Sequence, residues 1–479
     1  MIEKVKNNKF MVFFSIVFGG LLFFIMRWNL ADIDSFQLFT NAHMMKQGSV
    51  LYKDVNVLTP PLVHYINFLG VLIYDQLAVM PIINALYAIA ITYVGYCVTR
   101  ELGMGPKYSL VTSACISLAH THFEIWCYNS LCNLFNEIIL LFLLKASKKD
   151  KVSYKDIAII GALCGASIMS KQSTGLIATV AAALCIGIII YKKDSLKLCF
   201  RAVIPFGIAL VSSVGIILIP VFATGAFHDF VDQVFMGVST FKLDYILGAF
   251  VRVGSVAVFF TLMLIMSRKS LQGVVTYIMA LASLAGMIPT ANIAHMSCSW
   301  GFIMFVLAYY IKNLEDGQKI ASAIIMAAST IAAAAAVVIT CCYIKNDTFI
   351  QSDLKYTKGM YQNRNFDYII SETNKYIEAH PDNEYRIIST FASYFNVNRE
   401  DVYYKYYDMI LNGNTGTVNP LEMVKQDKDK YYFIANWDHT EDDVDWQIDS
   451  GIFDFLYGDE FIVEEFIGDT GLAVYRLQE

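Results

Sequence analysis

Apolar residues come in long blocks along this chain, not in the short alternations of a water-soluble domain. A helix crossing a hydrocarbon core needs about 20 apolar residues. Such runs lie near 10–27, 78–98, 108–124, 130–146, 156–170, 174–191, 202–222, 248–266, 271–289, 299–311 and 319–343, so eleven transmembrane helices are expected. Segment 61–74 (PLVHYINFLGVLIY) is apolar but short, and is expected to form a re-entrant or interfacial helix. After residue 345 the pattern changes. FDYIISETNKYIEAHPD has helical spacing and is closed by Pro381, while YRIIS, YYFIA, FIVEEFI and GLAVYRL read as strands. The expected architecture is a polytopic α-helical membrane domain, residues 1–345, followed by a soluble α/β domain, residues 346–479.

Composition agrees. Of the 479 residues, 56% are hydrophobic and the mean hydropathy is +0.49, which excludes an ordinary soluble protein. The net charge of −6 hides a division. Residues 1–345 hold 25 Lys/Arg against 16 Asp/Glu, a net of +9, and residues 346–479 hold 11 against 26, a net of −15. With the N-terminus in the cytoplasm, 18 basic residues of the membrane part fall in cytoplasmic loops and 7 on the other side. This is the bias of an integral membrane protein whose odd number of spans leaves the acidic domain extracytoplasmic. Lys4, Lys6 and Lys9 before the first apolar run resemble a signal peptide, but no small-residue cleavage site follows, so a retained first span is expected. All ten cysteines precede residue 345, scattered through apolar runs without metal spacing, and read as small apolar residues.

Chemistry-bearing residues gather in the first extracytoplasmic loop, 28–77. Asp32 and Asp34 open it in ADIDSFQLFTNAHMMKQG. Asp34-Ser35-Phe36-Gln37 fits a capping box that would make Asp34 a helix N-cap, with Phe36, Phe39 and Ala42 or His43 on one face and Gly48 ending a helix laid along the membrane surface. Capping accounts for Asp34 and leaves Asp32 over. Leu51-Tyr52-Lys53-Asp54 and Thr59-Pro60-Pro61-Leu62 follow. Glu137 lies about two turns into a span; an intramembrane carboxylate is a functional candidate by default, against a simple hydrogen bond to Asn133 or another span. Lys171, between two apolar runs, either snorkels or meets an anion, and Arg252 at the start of a span does the same. His120 and His122 lack carboxylate or cysteine neighbours at metal spacing and read as interfacial.

Taken together, D-x-D-S-F, Gly48, L-Y-K-D and T-P-P-L resemble the first extracytoplasmic loop of GT-C fold membrane glycosyltransferases that use polyprenyl-phosphate sugars, the superfamily of the protein O-mannosyltransferases and the lipid A aminoarabinose transferase. Many relatives carry Asp-Glu at the acidic site, where this chain has Asp34-Ser35. Met169–Leu176 (MSKQSTGL) resembles the family's lysine segment for the lipid phosphate. Thr224–Phe230 (TGAFHDF) resembles a later loop, and Pro289–His295 (PTANIAH) a proline–histidine segment. The resemblance runs in order over residues 1–345, and the first loop is its specific part.

It implies an inverting transfer of a hexose or pentose from a polyprenyl-phosphate donor to a hydroxyl of a glycan, lipid or protein acceptor. Asp34, or else Asp32, would be general base. Lys171 and Arg252 would bind the donor phosphate, and Tyr52, Asp54, Glu137 and His295 would line the substrate cavity. Two carboxylates also suit a divalent cation, but relatives using lipid monophosphate sugars do without metal, so no cofactor is expected. Nucleic acid is not an expected partner. A transporter or flippase of lipid-linked glycans, or a polysaccharide polymerase, is the alternative. A transporter needs polar groups along a midplane pathway, and the later spans here are nearly free of charge.

Overall fold

A computed structural model describes residues 9–17, 19–20, 33–123, 126–193, 196–236, 246–266, 270–288, 299–313, 349–388, 393, 397, 417, 419–435, 455, 458 and 461–478. The first helix after the opening run is α1 (Ile33–Lys46), followed by α2 (Leu62–Ile73), α3 (Val79–Glu101), α4 (Pro106–Phe123), α5 (Tyr128–Lys148), α6 (Tyr154–Ile168), α7 (Gln172–Lys193) and α8 (Leu196–Ala223). Then come the single turn α9 (Phe227–Val231), a π-helical turn Asp232–Met236, α10 (Ile246–Met266), α11 (Leu271–Ala285) and α12 (Trp300–Lys312). Helices α3 to α8 and α10 to α12 coincide with expected spans. Expected residues 21–27 and 319–343 lie outside the described residues. Among the described residues, four helices are each long and apolar enough to cross a membrane: Val79–Glu101, Tyr128–Lys148, Gln172–Lys193 and Lys197–Ala223. The chain is a helical membrane protein. Helix α2, with 12 residues, rises only about 18 Å. That is short of a hydrocarbon core, as expected of segment 61–74.

Helices α6 and α8 pack closely because Gly161 and Gly165 form a G-x-x-x-G stripe on α6. A Cβ at Gly165 would stand 2.7 Å from the Leu210 carbonyl oxygen and 2.8 Å from Ser213 Cβ, and one at Gly161 would meet the Phe206 carbonyl. The obstacles at both sites include backbone, so a side chain there must part the helices. Gly165→Leu is expected to destabilise the protein by about 1–3 kcal/mol or more, read as a lowered Tm in detergent. Gly207→Leu, where an added Cβ meets nothing within 4 Å, is expected to leave Tm nearly unchanged.

The segments read as strands after residue 380 form one sheet. Strands β3 (Tyr385–Ile388), β4 (Tyr431–Ala435), β5 (Phe461–Phe466) and β6 (Leu472–Leu477) stand in the order β3-β4-β6-β5, with β3/β4 parallel and the other pairs antiparallel. A separate antiparallel pair, β1 (Phe349–Gln351) and β2 (Tyr361–Asn363), leads into α13 (Arg364–Ala379), which stops before Pro381 as its sequence indicates. The parallel crossover between β3 and β4 contains α14 (Pro420–Gln426), capped by the Asn419 side chain.

This C-terminal part rests on the first loop. Thr40 Oγ1 donates to the Ser393 carbonyl (3.1 Å), Leu77 N donates to the Tyr356 carbonyl (2.8 Å), and the His43 and Tyr356 rings lie 4.4 Å apart. Asp75 accepts from His43 Nδ1 (2.8 Å) and Lys46 Nζ (2.9 Å), joining the end of α1 to the turn after α2. As a result residues 36–44 of α1 are buried, apart from half-buried Gln37. Thr40, Asn41 and His43 are as buried as Phe36, Phe39 and Ala42. The expected helix is formed. Its polar side is roofed by the chain's own C-terminal residues.

Candidate functional site

Helix α1 ends as its sequence requires. Gly48 has φ +105, Gly48 N donates to the Met45 carbonyl and Ser49 N to the Met44 carbonyl. That pair of bonds turns the chain sharply out of the helix, and only glycine takes the left-handed backbone without strain. At the other end the helix begins at Ile33, so Asp34 is its second residue and not the cap outside it. The capping-box register is corrected accordingly. Asp34 is described here by its backbone only, and Asp32 and His295 lie outside the described residues.

The rest of the first loop is fastened by polar groups. Asp54 accepts from Val50 N (2.7 Å), and its own N–H donates to the Val50 carbonyl (2.8 Å), closing a turn. Inside that turn Tyr52 holds φ +71, a left-handed conformation uncommon for a bulky residue. It is fully buried and its phenol donates to the Thr59 carbonyl (2.8 Å). Burial, and secondarily Tyr65, pushes the Tyr52 phenol well up, which keeps it protonated as a donor. Gln233 bridges the loop from 176 and 181 residues away: Oε1 accepts from Val57 N (2.8 Å) and Nε2 donates to the Tyr52 carbonyl (2.7 Å). The Phe230 ring packs edge-on to Tyr52 at 5.1 Å. Tyr52 and Asp54, expected in the cavity wall, thus act in the described geometry as fasteners of the loop.

The same loop is bound to the lysine segment. Leu62 N donates to the Met169 carbonyl (3.1 Å), and Gln172 Nε2 donates to the carbonyls of Leu58 (3.2 Å) and Val234 (3.0 Å). Three stretches far apart in sequence, 50–62, 169–172 and 230–234, therefore meet at one end of the bundle. Lys171 sits in that junction. Its ammonium donates to Asn129 Oδ1 and lies 5.5 Å from the centre of the Tyr128 ring, both at the start of α5. A neutral amide and an aromatic face hold a cation without supplying a counter-charge, which leaves that role to an incoming anion.

Alongside lies a second polar group. His64 and Asn67, one turn apart on α2, are buried. His64 Nε2 is 2.9 Å from Thr59 Oγ1, and burial lowers its imidazole to about 3, so it is neutral. Asn67 Oδ1 accepts from Trp126 Nε1 (2.8 Å), and Trp126 packs on Tyr87 of α3, ring centres 5.8 Å apart. Asn67 Nδ2, His64 Nδ1 and Asn84 Oδ1 have no hydrogen-bond partner among the described residues. Each such buried group costs about 1–3 kcal/mol unless something pairs with it.

Glu137 is fully buried on α5, about 12 Å along the helix axis from Asn129 and on the same face. The hydrogen bond to Asn133, one alternative to a functional role, is not formed, since neither side-chain polar atom of Asn133 has a hydrogen-bond partner among the described residues. Asn136 instead accepts from Ser167 of α6 (2.7 Å). Arg252 lies on an exposed part of α10. Among the described residues no three His, Cys, Asp or Glu side chains are grouped to hold a metal ion. The sequence reading missed Gln233, His64, Asn67, Trp126 and Asn129. Asn129, Asn133, Asn136 and Glu137 recur at helical spacing in an apolar run, a polar stripe that periodicity does reveal.

No protein-family model matches the chain, and no curated protein matches it. Solved structures do. ArnT from Cupriavidus metallidurans in the apo state is similar with a TM-score of 0.55 and 10% identity, over 97% of this chain and 97% of that one. The archaeal oligosaccharyltransferase AglB from Archaeoglobus fulgidus, in complex with an inhibitory peptide and a dolichol-phosphate, is similar with a TM-score of 0.50 and 11% identity, over 89% of this chain and 69% of that one. Both are GT-C fold enzymes, and from the first-loop helix to the last strand of its C-terminal sheet this chain has the GT-C fold.

Proposed function

We propose that this chain is a membrane glycosyltransferase that moves a hexosyl or pentosyl group from a polyprenyl-phosphate donor to an acceptor hydroxyl on the extracytoplasmic side. The observation that carries the reading is the position of Lys171. In a GT-C fold, its ammonium is presented at the junction where the first loop is fastened to the bundle. The donor's lipid lies between spans and its phosphate meets Lys171, with Arg252 as a second candidate cation. Asp34, or Asp32 two residues earlier, accepts the proton of the acceptor hydroxyl. The hydroxyl oxygen attacks the anomeric carbon, the bond from that carbon to the phosphate oxygen breaks, and lipid phosphate leaves with the electron pair. One displacement inverts the anomeric centre. Eleven spans, a cytoplasmic N-terminus and an extracytoplasmic C-terminal domain complete the arrangement, and the acceptor is a glycan, a lipid or a protein.

Lys171, Gln172, Gln233 and the polar groups of the first loop cluster at the loop end of the bundle, with Asn133, Asn136 and Glu137 running inward along α5, and the cluster favours chemistry at that end over a transport route through the midplane. Membrane vesicles holding the chain, supplied with polyprenyl-phosphate [14C]sugars, distinguish the two. Transferase activity moves label from the lipid to a water-soluble, protein or glycolipid fraction. Label that changes leaflet but stays on polyprenyl phosphate would identify a flippase and overturn the reading.

A further inference from the structure

Resting on the reading above, the geometry points to His64, Asn67, Asn84 and Trp126 as the subsite for the donor's sugar ring, and to that ring being uncharged and hydroxyl-bearing, a neutral hexose or pentose and not an amino sugar or a uronic acid. Three observations carry this. First, the groups are linked through contacts between separate elements. Asn67 on α2 holds the Trp126 indole, Trp126 packs on Tyr87, and Asn84 is one turn before Tyr87 on α3. His64 is one turn before Asn67 and is tied to Thr59 in the first loop. Second, three of them keep a polar atom without a partner although the residues are 0–2% exposed: Asn67 Nδ2, His64 Nδ1 and Asn84 Oδ1. They comprise a donor-only amide nitrogen, an acceptor-only amide oxygen and a ring nitrogen that takes either role. A sugar hydroxyl donates and accepts, so a polyol has the hydrogen-bonding capacity to match all three.

Third, the four described groups of the subsite are uncharged. The amides and the indole are neutral, and burial keeps the His64 imidazole neutral. An ammonium or carboxylate on the ring would lose its water against neutral dipoles without a counter-ion, a large penalty. A neutral ring loses only hydroxyl hydration, which the amides replace. The position also fits a phosphate-linked ring. Trp126 is three residues from Asn129, the ligand of Lys171, so the two lie within about 10–11 Å of each other along the chain.

The test uses the purified full-length chain in nanodiscs and equilibrium binding of defined lipids: polyprenyl phosphate alone, and the same lipid bearing mannose, glucose, arabinofuranose, 4-aminoarabinose or glucuronate. At least one neutral sugar is expected to tighten binding 10-fold or more over bare polyprenyl phosphate, and the amino sugar and uronate to give no such gain. Asn67→Leu and Asn84→Leu are expected to bring the neutral-sugar lipid down to the affinity of the bare lipid, which itself stays unchanged. Equal binding of the charged and neutral sugars by the unmodified chain overturns the proposal, even where a variant fails to fold. Loss of bare-lipid binding in both variants overturns it too, by assigning these residues to the fold alone. If neither bare nor glycosylated lipid binds the unmodified chain, the glycosyltransferase reading itself falls.

Discussion

Asp34→Asn is expected to lower sugar transfer about 10²–10⁴-fold, the usual contribution of a positioned general base. The substitution keeps the size and planarity of the side chain and removes its ability to take a proton from the acceptor hydroxyl. Asp34 is the second residue of α1, a helix whose following residues 36–44 are mostly buried, so the backbone that carries it is anchored by packing that an amide does not disturb. Three readouts follow. The loss should fall on kcat with donor KM little changed, because the acid acts on the acceptor's proton. Tm in detergent should be unchanged. The acidic limb of the pH–rate profile should disappear with the group that titrates it. Full activity in Asp34→Asn with loss in Asp32→Asn moves the base by two residues. Full activity in both removes the acidic pair from the chemistry.

The fold was legible where physics is local. Apolar runs mark α3 to α8 and α10 to α12, and among the described residues α3, α5, α7 and α8 have the length and apolar character that a hydrocarbon solvent demands. Gly48 and Pro381 mark the ends of α1 and α13 because one releases the backbone and the other cannot continue a helix. What was not legible is non-local. Nothing in DSFQLFTNAHMMK announces that Tyr356 and Ser393, more than 300 residues on, cover its polar face. Read alone, the segment is a surface helix. Gln233 gives no signal in isolation either. It acquires its role only when two carbonyl and amide groups of the first loop come within its reach.

Tyr52 and Asp54 are a different case. The resemblance implied that both line the substrate cavity. The geometry spends both on backbone partners, Thr59 O and Val50 N. A polar side chain in a loop packed against a membrane bundle must first satisfy the loop's own amides and carbonyls, and short loops leave few other groups to do it.

Lys171→Met carries the second large effect. The methionine retains the length and apolar stem and removes the charge, so the Tyr128 ring keeps a covering while the leaving phosphate loses its cation. A preorganised electrostatic group in a water-poor site is worth about 10²–10³-fold in kcat, and that loss is expected here. Unlike Asp34→Asn, this change should also weaken binding of bare polyprenyl phosphate, since the ammonium meets the phosphate before as well as during transfer. Lys171→Arg should restore binding more fully than rate, because a planar fork cannot reproduce the point charge held by Asn129. The pair of variants separates two roles for the junction. If Lys171→Met lowers Tm and leaves both donor affinity and kcat intact in the folded fraction, Lys171 merely ties α5 to the turn before α7. If affinity and rate fall while Tm holds, the junction between the first loop and the bundle is where the lipid phosphate is held and released.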